Sequence, residues 1–466
     1  MSVVSSGGVE FEVEIPLLII GAGASGLVAA LAAKDAGVGC VVLERDIVPS
    51  GSTALSSGMI PACETQIQHD KDIADNVQTM AADIMKKARN EADPTMVDLL
   101  CRTSGPAIDW LTGTHGLELT LVEGFLYPGH SHLRMHAPPS RSGADLMHGL
   151  ISAAERADID VMCGAHVTEI YADADNRVKG VRIVRPDGTT ERIGCAALIL
   201  ACNGFGGNPE MLSELIPDMK DALYFGHPGN QGDAIKWGRS LGAATRHLGS
   251  YQGHGSVAHP HGILISWALM MEGGIQINCA GVRFSNELDG YSEQARRVLQ
   301  QPGGLAWNLF DERLRGIVAD FEDFKQAEAH GAILRANSIE ELCEKISVPH
   351  EQVKATLEQI RQLAAIAESD EFGRDFSKTP ELEAPFYAVK VTGSLFHTQG
   401  GLKVDTSARV LSSDDQPLPN LFASGGAACG VSGPEDWGYL SGNGLLSAVT
   451  LGCVAGQTAA RLVGAI

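Results

Sequence analysis

Positive charge is in short supply. Lys and Arg number 35 against 57 Asp and Glu, for a net charge of −22. Such a surface repels phosphate backbones and anionic lipid, which argues against nucleic-acid partners and membrane-surface binding. The ten cysteines include no C-x-x-C pair, so no zinc-type spacing is present. Cys40, Cys195, Cys202 and Cys453 lie in apolar stretches and read as buried free thiols of a reducing compartment. No apolar run is read as reaching the ~18 residues of a membrane span. The first fourteen residues carry acids rather than a basic leader, so no secretory signal is expected and the chain reads as cytoplasmic. His130, His132 and His136 sit among Pro and Gly with no acid or cysteine at ligand spacing, so no metal is expected. Disorder is excluded by 44% hydrophobic and only 20% charged residues. A Gly-X-Y period, an internal repeat and a low-complexity tract are all missing.

Glycine, by contrast, is abundant: 54 of 466 residues, well above the usual ~7%. Much of it falls where a chain would approach a ligand closely. Gly21-Ala22-Gly23-Ala24-Ser25-Gly26 separates the apolar run 16–20 from a helical pattern at Leu27–Ala36. A second apolar run, Cys40–Leu43, ends at Glu44. This is strand, glycine turn, helix, strand and acid, the pattern of a dinucleotide-binding βαβ unit. The first Gly permits the turn, the second lets backbone approach a pyrophosphate, and the third lets helix and strand touch. The helix N-terminus favours the diphosphate. Glu44 can accept from both ribose hydroxyls. The length suggests two or three domains. The middle, 251–397, is richer in charged helical stretches and reads as an insertion between 1–250 and 398–466.

Further segments extend the pattern: Gly51-Ser52-Thr53, Ser56-Ser57-Gly58, Ala201-Cys202-Asn203-Gly204, Asn278-x-x-Gly281-x-Arg283-Phe284-x-Asn286-Glu287, Thr398-x-Gly400-Gly401, Ala423-Ser424-Gly425-Gly426 and Ser441-Gly442-Asn443-Gly444-Leu445. Taken in order, the set resembles the flavoprotein family of fumarate reductases, succinate dehydrogenase flavoprotein subunits and 3-ketosteroid dehydrogenases. The resemblance implies an α/β fold: a Rossmann-like FAD-binding domain, formed by 1–250 and 398–466, with an inserted α+β cap. It implies an FAD-dependent oxidoreductase acting on CH–CH groups. Contacts to FAD are then expected from Gly21, Ala22, Gly23, Ala24, Ser25, Gly26, Glu44, Arg45, Ser52, Thr53, Ser57, Gly58, Val167, Ala201, Asn203, Gly204, Asp233, Gly425, Gly426, Gly442, Asn443 and Leu445. Succinate dehydrogenases attach FAD through a His in the Gly-Ser-Thr segment; Ser52 stands here, so noncovalent FAD is expected. The acid of a family Ala-Ala-Gly-Glu-like motif is absent, with Gly426 in its place.

The resemblance also locates the substrate groups. A dicarboxylate must be desolvated and held by cations, and fumarate reductases use several arginines. Aligned on the shared segments, the catalytic Arg falls on Tyr291. A second Arg and its acid fall within 266–270, which reads Ser-Trp-Ala-Leu-Met, and the C-terminal substrate Arg falls on Tyr439. His254 and His397 survive. Tyrosines at these places are similar to the 3-ketosteroid dehydrogenases. The expected activity is therefore desaturation α,β to a ketone, of a 3-ketosteroid or a smaller cyclic ketone such as 4-oxocyclohexanecarboxylate. Tyr439, with Ser441 and the Gly442 N–H, would polarise the carbonyl. Tyr291 would take the α-proton, with Tyr127 assisting and His397 contacting substrate or flavin. His254 reads as structural, and Trp267 and Met270 as apolar wall. Arg134 or Arg141 would meet a substrate carboxylate. With no second dinucleotide motif, the electron acceptor is expected to be dioxygen, a quinone or a carrier. Two rival readings remain: a reductase of an unsaturated acid, in the fumarate-reductase manner, and a non-catalytic flavin-binding redox protein.

Overall fold

The structure, a computed structural model, describes residues 1–124 and 126–464. It divides into two units. The first comprises Met1–Ile216, Gly226–Tyr251 and the chain from His397 on; the second comprises Pro217–Phe225 and Gln252–Phe396.

The first unit is built on a nine-stranded sheet. Its path runs Ser2–Ser5, His166–Ala172, Val178–Val184, Thr190–Leu200, Val13–Ile20, Cys40–Leu43, Asp160–Met162. Val13–Ile20 pairs in parallel with both Cys40–Leu43 and Thr190–Leu200. Its last four residues are buried, as a strand covered on both faces requires. Thr190–Leu200 is long enough for two partners on one side: antiparallel Val178–Val184 along its first half, parallel Pro417–Ala423 along its second. The C-terminal third of the chain thereby returns to the sheet begun by the first strands. The crossover helix Ala24–Asp35 is buried over ten consecutive residues, because alanines and one glycine let it lie flat against its neighbours.

One of those neighbours is the helix Asn443–Gly464. It is long and apolar enough, by length and composition, to cross a membrane, which corrects the expectation that no such run exists. Ser447, Thr450 and Gln457 interrupt the run in the sequence. Most of the helix is buried within the first unit.

The second unit centres on the strand Phe386–Thr398. Leu305–Asp311 and Ile333–Ala336 pair with it antiparallel, and Tyr251–Ala258 lies beside it. Pro217–Phe225 joins this unit although the sequence placed it in the first, because Leu223–Tyr224 pairs in parallel with Ser394–Leu395. Trp267, Met270, Phe310, Phe324 and Tyr387 share one apolar core.

Candidate functional site

The glycine turn begins where Val13–Ile20 ends. The Gly21 N–H donates to Leu43 O at 2.8 Å. At Gly21 φ is +102°, and a Cβ would lie 2.6 Å from Ala201 O, so a side chain is barred by both conformation and space. Gly26 is likewise closed off, by Gly21 O. Gly23 is the N-cap of Ala24–Asp35; it brings no side-chain cap, and no acid sits in the first turn. The positive end of the helix is thus left for an anion. Ala24 N–H donates to Thr53 Oγ1 at 3.2 Å, and Ser25 Oγ–H to Ser424 Oγ at 2.7 Å. The two oxygens of Glu44 accept separately, from Ala22 N–H at 2.8 Å and Asp46 N–H at 3.0 Å. That grip holds the carboxylate beside the turn with lone pairs to spare for hydroxyl donors. Arg45 donates to Gly229 O at 3.0 Å and pairs with Asp46.

Ser52 occupies a hub that sequence reasoning did not foresee. Its Oγ accepts from Asn230 Nδ2 at 2.8 Å and Asn203 Nδ2 at 3.2 Å, with His227 N–H at 3.4 Å. Asn203, at φ +64°, turns its Oδ1 back to accept from Gly204 N–H at 2.8 Å. That same Oδ1 fills the space a side chain at position 426 would need. Gly58 N–H donates to Ser56 Oγ at 3.0 Å, with Ser57 between them. Gly425 opens a short turn after Pro417–Ala423. Val167 is a buried strand residue, and Asp233 opens the helix Asp233–Ser240, where burial pushes its carboxyl up. An unpaired acceptor completes the set: Asn443 Oδ1 is buried with no hydrogen-bond partner among the described residues. An uncapped helix start, a turn that bars side chains and an orphaned acceptor all fit a bound dinucleotide.

The helix Asn443–Gly464 also organises the polar residues around Tyr439. Tyr439 is 6% exposed. Burial drives its phenol well above the ordinary value of 10, and hydrogen bonds from the Gly442 and Gly444 backbone only partly offset this. Tyr439 is a neutral phenol. His397 packs edge to face on Tyr439 and lies so near Gly444 that a Cβ there would stand 2.8 Å from its ring. Burial lowers the His397 pKa to about 4, keeping it uncharged. Ser441 O takes a hydrogen bond from His130 Nε2 at 3.0 Å. His130, weighed in the sequence only as a metal ligand, thus ties the 127–130 loop to this segment. Tyr127 donates to Met59 Sδ at 2.9 Å, and burial pushes its phenol up.

Arg134, expected to serve a substrate carboxylate, is fully buried and already neutralised. It meets Asp75 through Nε and Nη2 at 2.9 and 2.8 Å, and Asp83 through Nη1 at 2.8 Å. Arg141 is exposed. Among the described residues Arg134 and Arg374 are the two most deeply buried cations, and Arg374 is held by Glu287 at 2.7 Å. No lysine among the described residues is buried.

Tyr291 belongs to the second unit, where it opens the helix Tyr291–Leu299. It stacks on His254, ring centroids 5.0 Å apart, and Phe396 stacks on His254 as well. Burial holds His254 uncharged at about 3, so it offers Tyr291 no positive charge. Trp267 meets His254 edge-on. Met270 is fully buried in the core, which corrects its reading as a pocket wall.

A Rossmann-type sheet, a glycine turn with an acid at the end of the second parallel strand and a second, mixed unit define a flavin-dinucleotide-dependent oxidoreductase. The chain belongs to the FAD binding domain family, whose model matches residues 17–445. It binds FAD and acts on CH–CH groups. It is 28% identical over 449 residues to fumarate reductase (cytochrome) from Shewanella frigidimarina, covering 96% of this chain and 77% of that protein. Other curated relatives are mostly named as reductases of unsaturated acids. The open conformation of a flavocytochrome c3 fumarate reductase superposes with a TM-score of 0.83 at 27% identity, covering 98% of this chain and 80% of that one. A 3-ketosteroid-Δ4-(5α)-dehydrogenase from Rhodococcus jostii RHA1 shares the fold, with a TM-score of 0.79 at 22% identity over 99% of this chain and 100% of that one.

Proposed function

We propose that the protein desaturates a cyclic ketone at the bond α,β to its carbonyl. The observation that carries this reading is the neutral Tyr439 phenol beside an uncharged His397, with the nearby buried arginine already paired to two carboxylates. Two substrate carboxylates would have to be desolvated, and that needs uncompensated cations. A ketone needs only a neutral donor at its oxygen. Tyr439 Oη–H would donate to the carbonyl as negative charge grows there, where a preorganised donor in a dry site counts most. A general base must accept the α-proton, the part that the sequence resemblance gives to Tyr291. When bound, FAD supplies the two-electron acceptor for the β-hydrogen, which leaves as hydride. Dioxygen, a quinone or a carrier would then remove the electrons. Ser441 and His397 would orient the ring of the substrate.

A second reading, reduction of an unsaturated acid, rests on the curated relatives, most of which are named as such reductases. The relatives favour that reading; the side chains favour the first. Incubation of the FAD-loaded protein with cyclohexanone-type ketones and 3-ketosteroids, with an artificial electron acceptor, tests the proposal. Mass analysis showing a product two hydrogens lighter supports it. No product from any ketone, with reduction of fumarate or another unsaturated acid by the dithionite-reduced protein, overturns it in favour of the second reading.

A further inference from the structure

Four polar side chains of the first unit form a line that ends on His397. Asn443 Nδ2–H donates to Ser432 Oγ at 3.0 Å. Ser432 Oγ–H donates to Gln399 Oε1 at 2.8 Å. Gln399 Nε2 stands 2.7 Å from His397 Nδ1. Asn443, Ser432 and Gln399 are all buried. Each intermediate group has one role fixed by its neighbour. Because the Gln399 oxygen is taken by the serine proton, its amide nitrogen faces the ring, and a nitrogen with hydrogens can only donate. In this sense of the line His397 Nδ1 is an unprotonated acceptor. Burial keeps the ring neutral, so its single proton sits on Nε2.

The line could run in the opposite sense only as a whole. Asn443 would then present its NH2 where Oδ1 now points, and His397 would carry its proton on Nδ1. The start of Asn443–Gly464 decides between them. A helix N-terminus carries positive potential, which favours the Asn443 oxygen over its NH2 group.

We propose that the Gln399–Ser432–Asn443 line is a tautomer relay that fixes His397 as an Nε2–H donor to the bound substrate and couples that choice to the acceptor face of Asn443. Gln399, Ser432 and Asn443 are positioning residues in this account. The part concerning substrate rests on the reading above; the tautomer does not. A donor at this place suits an oxygen of the substrate and cannot serve as the proton acceptor of the reaction.

The test is long-range proton–nitrogen correlation NMR on FAD-loaded protein labelled with 15N-histidine, with His397 assigned by its loss in His397→Gln. At neutral pH the His397 pattern should show Nδ1 bare and Nε2 protonated. In Gln399→Glu a carboxylate faces Nδ1 and cannot donate, so the pattern should invert to Nδ1–H. In Ser432→Ala the amide loses its anchor, and the signal should move towards a mixture of both tautomers. Flavin absorbance checks that each variant remains loaded; should Gln399→Glu fail to fold, Ser432→Ala and the wild-type pattern decide alone. A wild-type ring protonated on Nδ1, or a wild-type pattern that survives the folded variants, overturns the relay. If the tautomer is as stated but no ketone is desaturated, the relay stands and the functional reading falls.

Discussion

Tyr439 and His397 meet edge to face, with ring centroids 5.5 Å apart and planes at 77°. Both are buried and both are uncharged, for the same cause: burial penalises the charged form of each. The proposed ketone chemistry rests on this pair.

Removing the Tyr439 hydroxyl tests its role. Tyr439→Phe keeps the ring and its packing on His397 and deletes the phenol donor. Flavin reduction by a ketone substrate should fall by ~10²-fold or more, with the visible spectrum of bound flavin retained. Stopped-flow absorbance measures it, and an unchanged rate would take Tyr439 out of the chemistry.

Glu44→Ala removes the carboxylate that accepts from Ala22 and Asp46. A charge-assisted hydrogen bond contributes roughly 1.5–3 kcal/mol, so FAD affinity should drop at least about tenfold. Release of FAD on dilution, followed by fluorescence, is the readout. Retention equal to the parent would contradict the ribose assignment.

Gly426→Ala should be costly although it adds one methyl. The new Cβ must displace Asn203 Oδ1, which holds Gly204 N–H, and Asn203 in turn holds Ser52. A loss of about 1–3 kcal/mol is expected from such overpacking, together with weaker FAD retention. Chemical denaturation of the variant beside the parent checks both.

Acid should unfold the protein through its histidines. Burial lowers His130, His136 and His397 to about 4 and His254 to about 3, from an ordinary 6.5. Between 6.5 and 4 the unfolded chain binds more protons than the folded one, so stability rises with pH across that window and is lost as pH falls through it. Thermal melting from pH 8 to 4 should show a steep decline below about 6.5; a flat profile would mean that these rings are hydrated. Arg134→Met should destabilise the protein at neutral pH, because it removes the guanidinium shared by the buried Asp75 and Asp83 carboxylates, at a cost of about 3–5 kcal/mol.

Much of the FAD-binding architecture was legible in the sequence because it is local. Gly21, Gly23, Gly26 and Glu44 fall within one βαβ unit, where spacing alone dictates geometry. The C-terminal helix announced itself by an apolar pattern after a glycine cluster. What stayed hidden depends on residues far apart in the chain. Nothing in the sequence links Asn203 to Gly426, Gln399 to Ser432, or Leu223–Tyr224 to Ser394–Leu395. Arg134 looked available because its partners, Asp75 and Asp83, are more than fifty residues upstream.

The most direct measurement runs both half-reactions anaerobically on one preparation. A cyclic ketone should bleach the oxidised flavin, succinate should not, and fumarate should fail to reoxidise the dithionite-reduced protein. Rapid reoxidation by fumarate, with every ketone leaving the flavin yellow, would contradict the account.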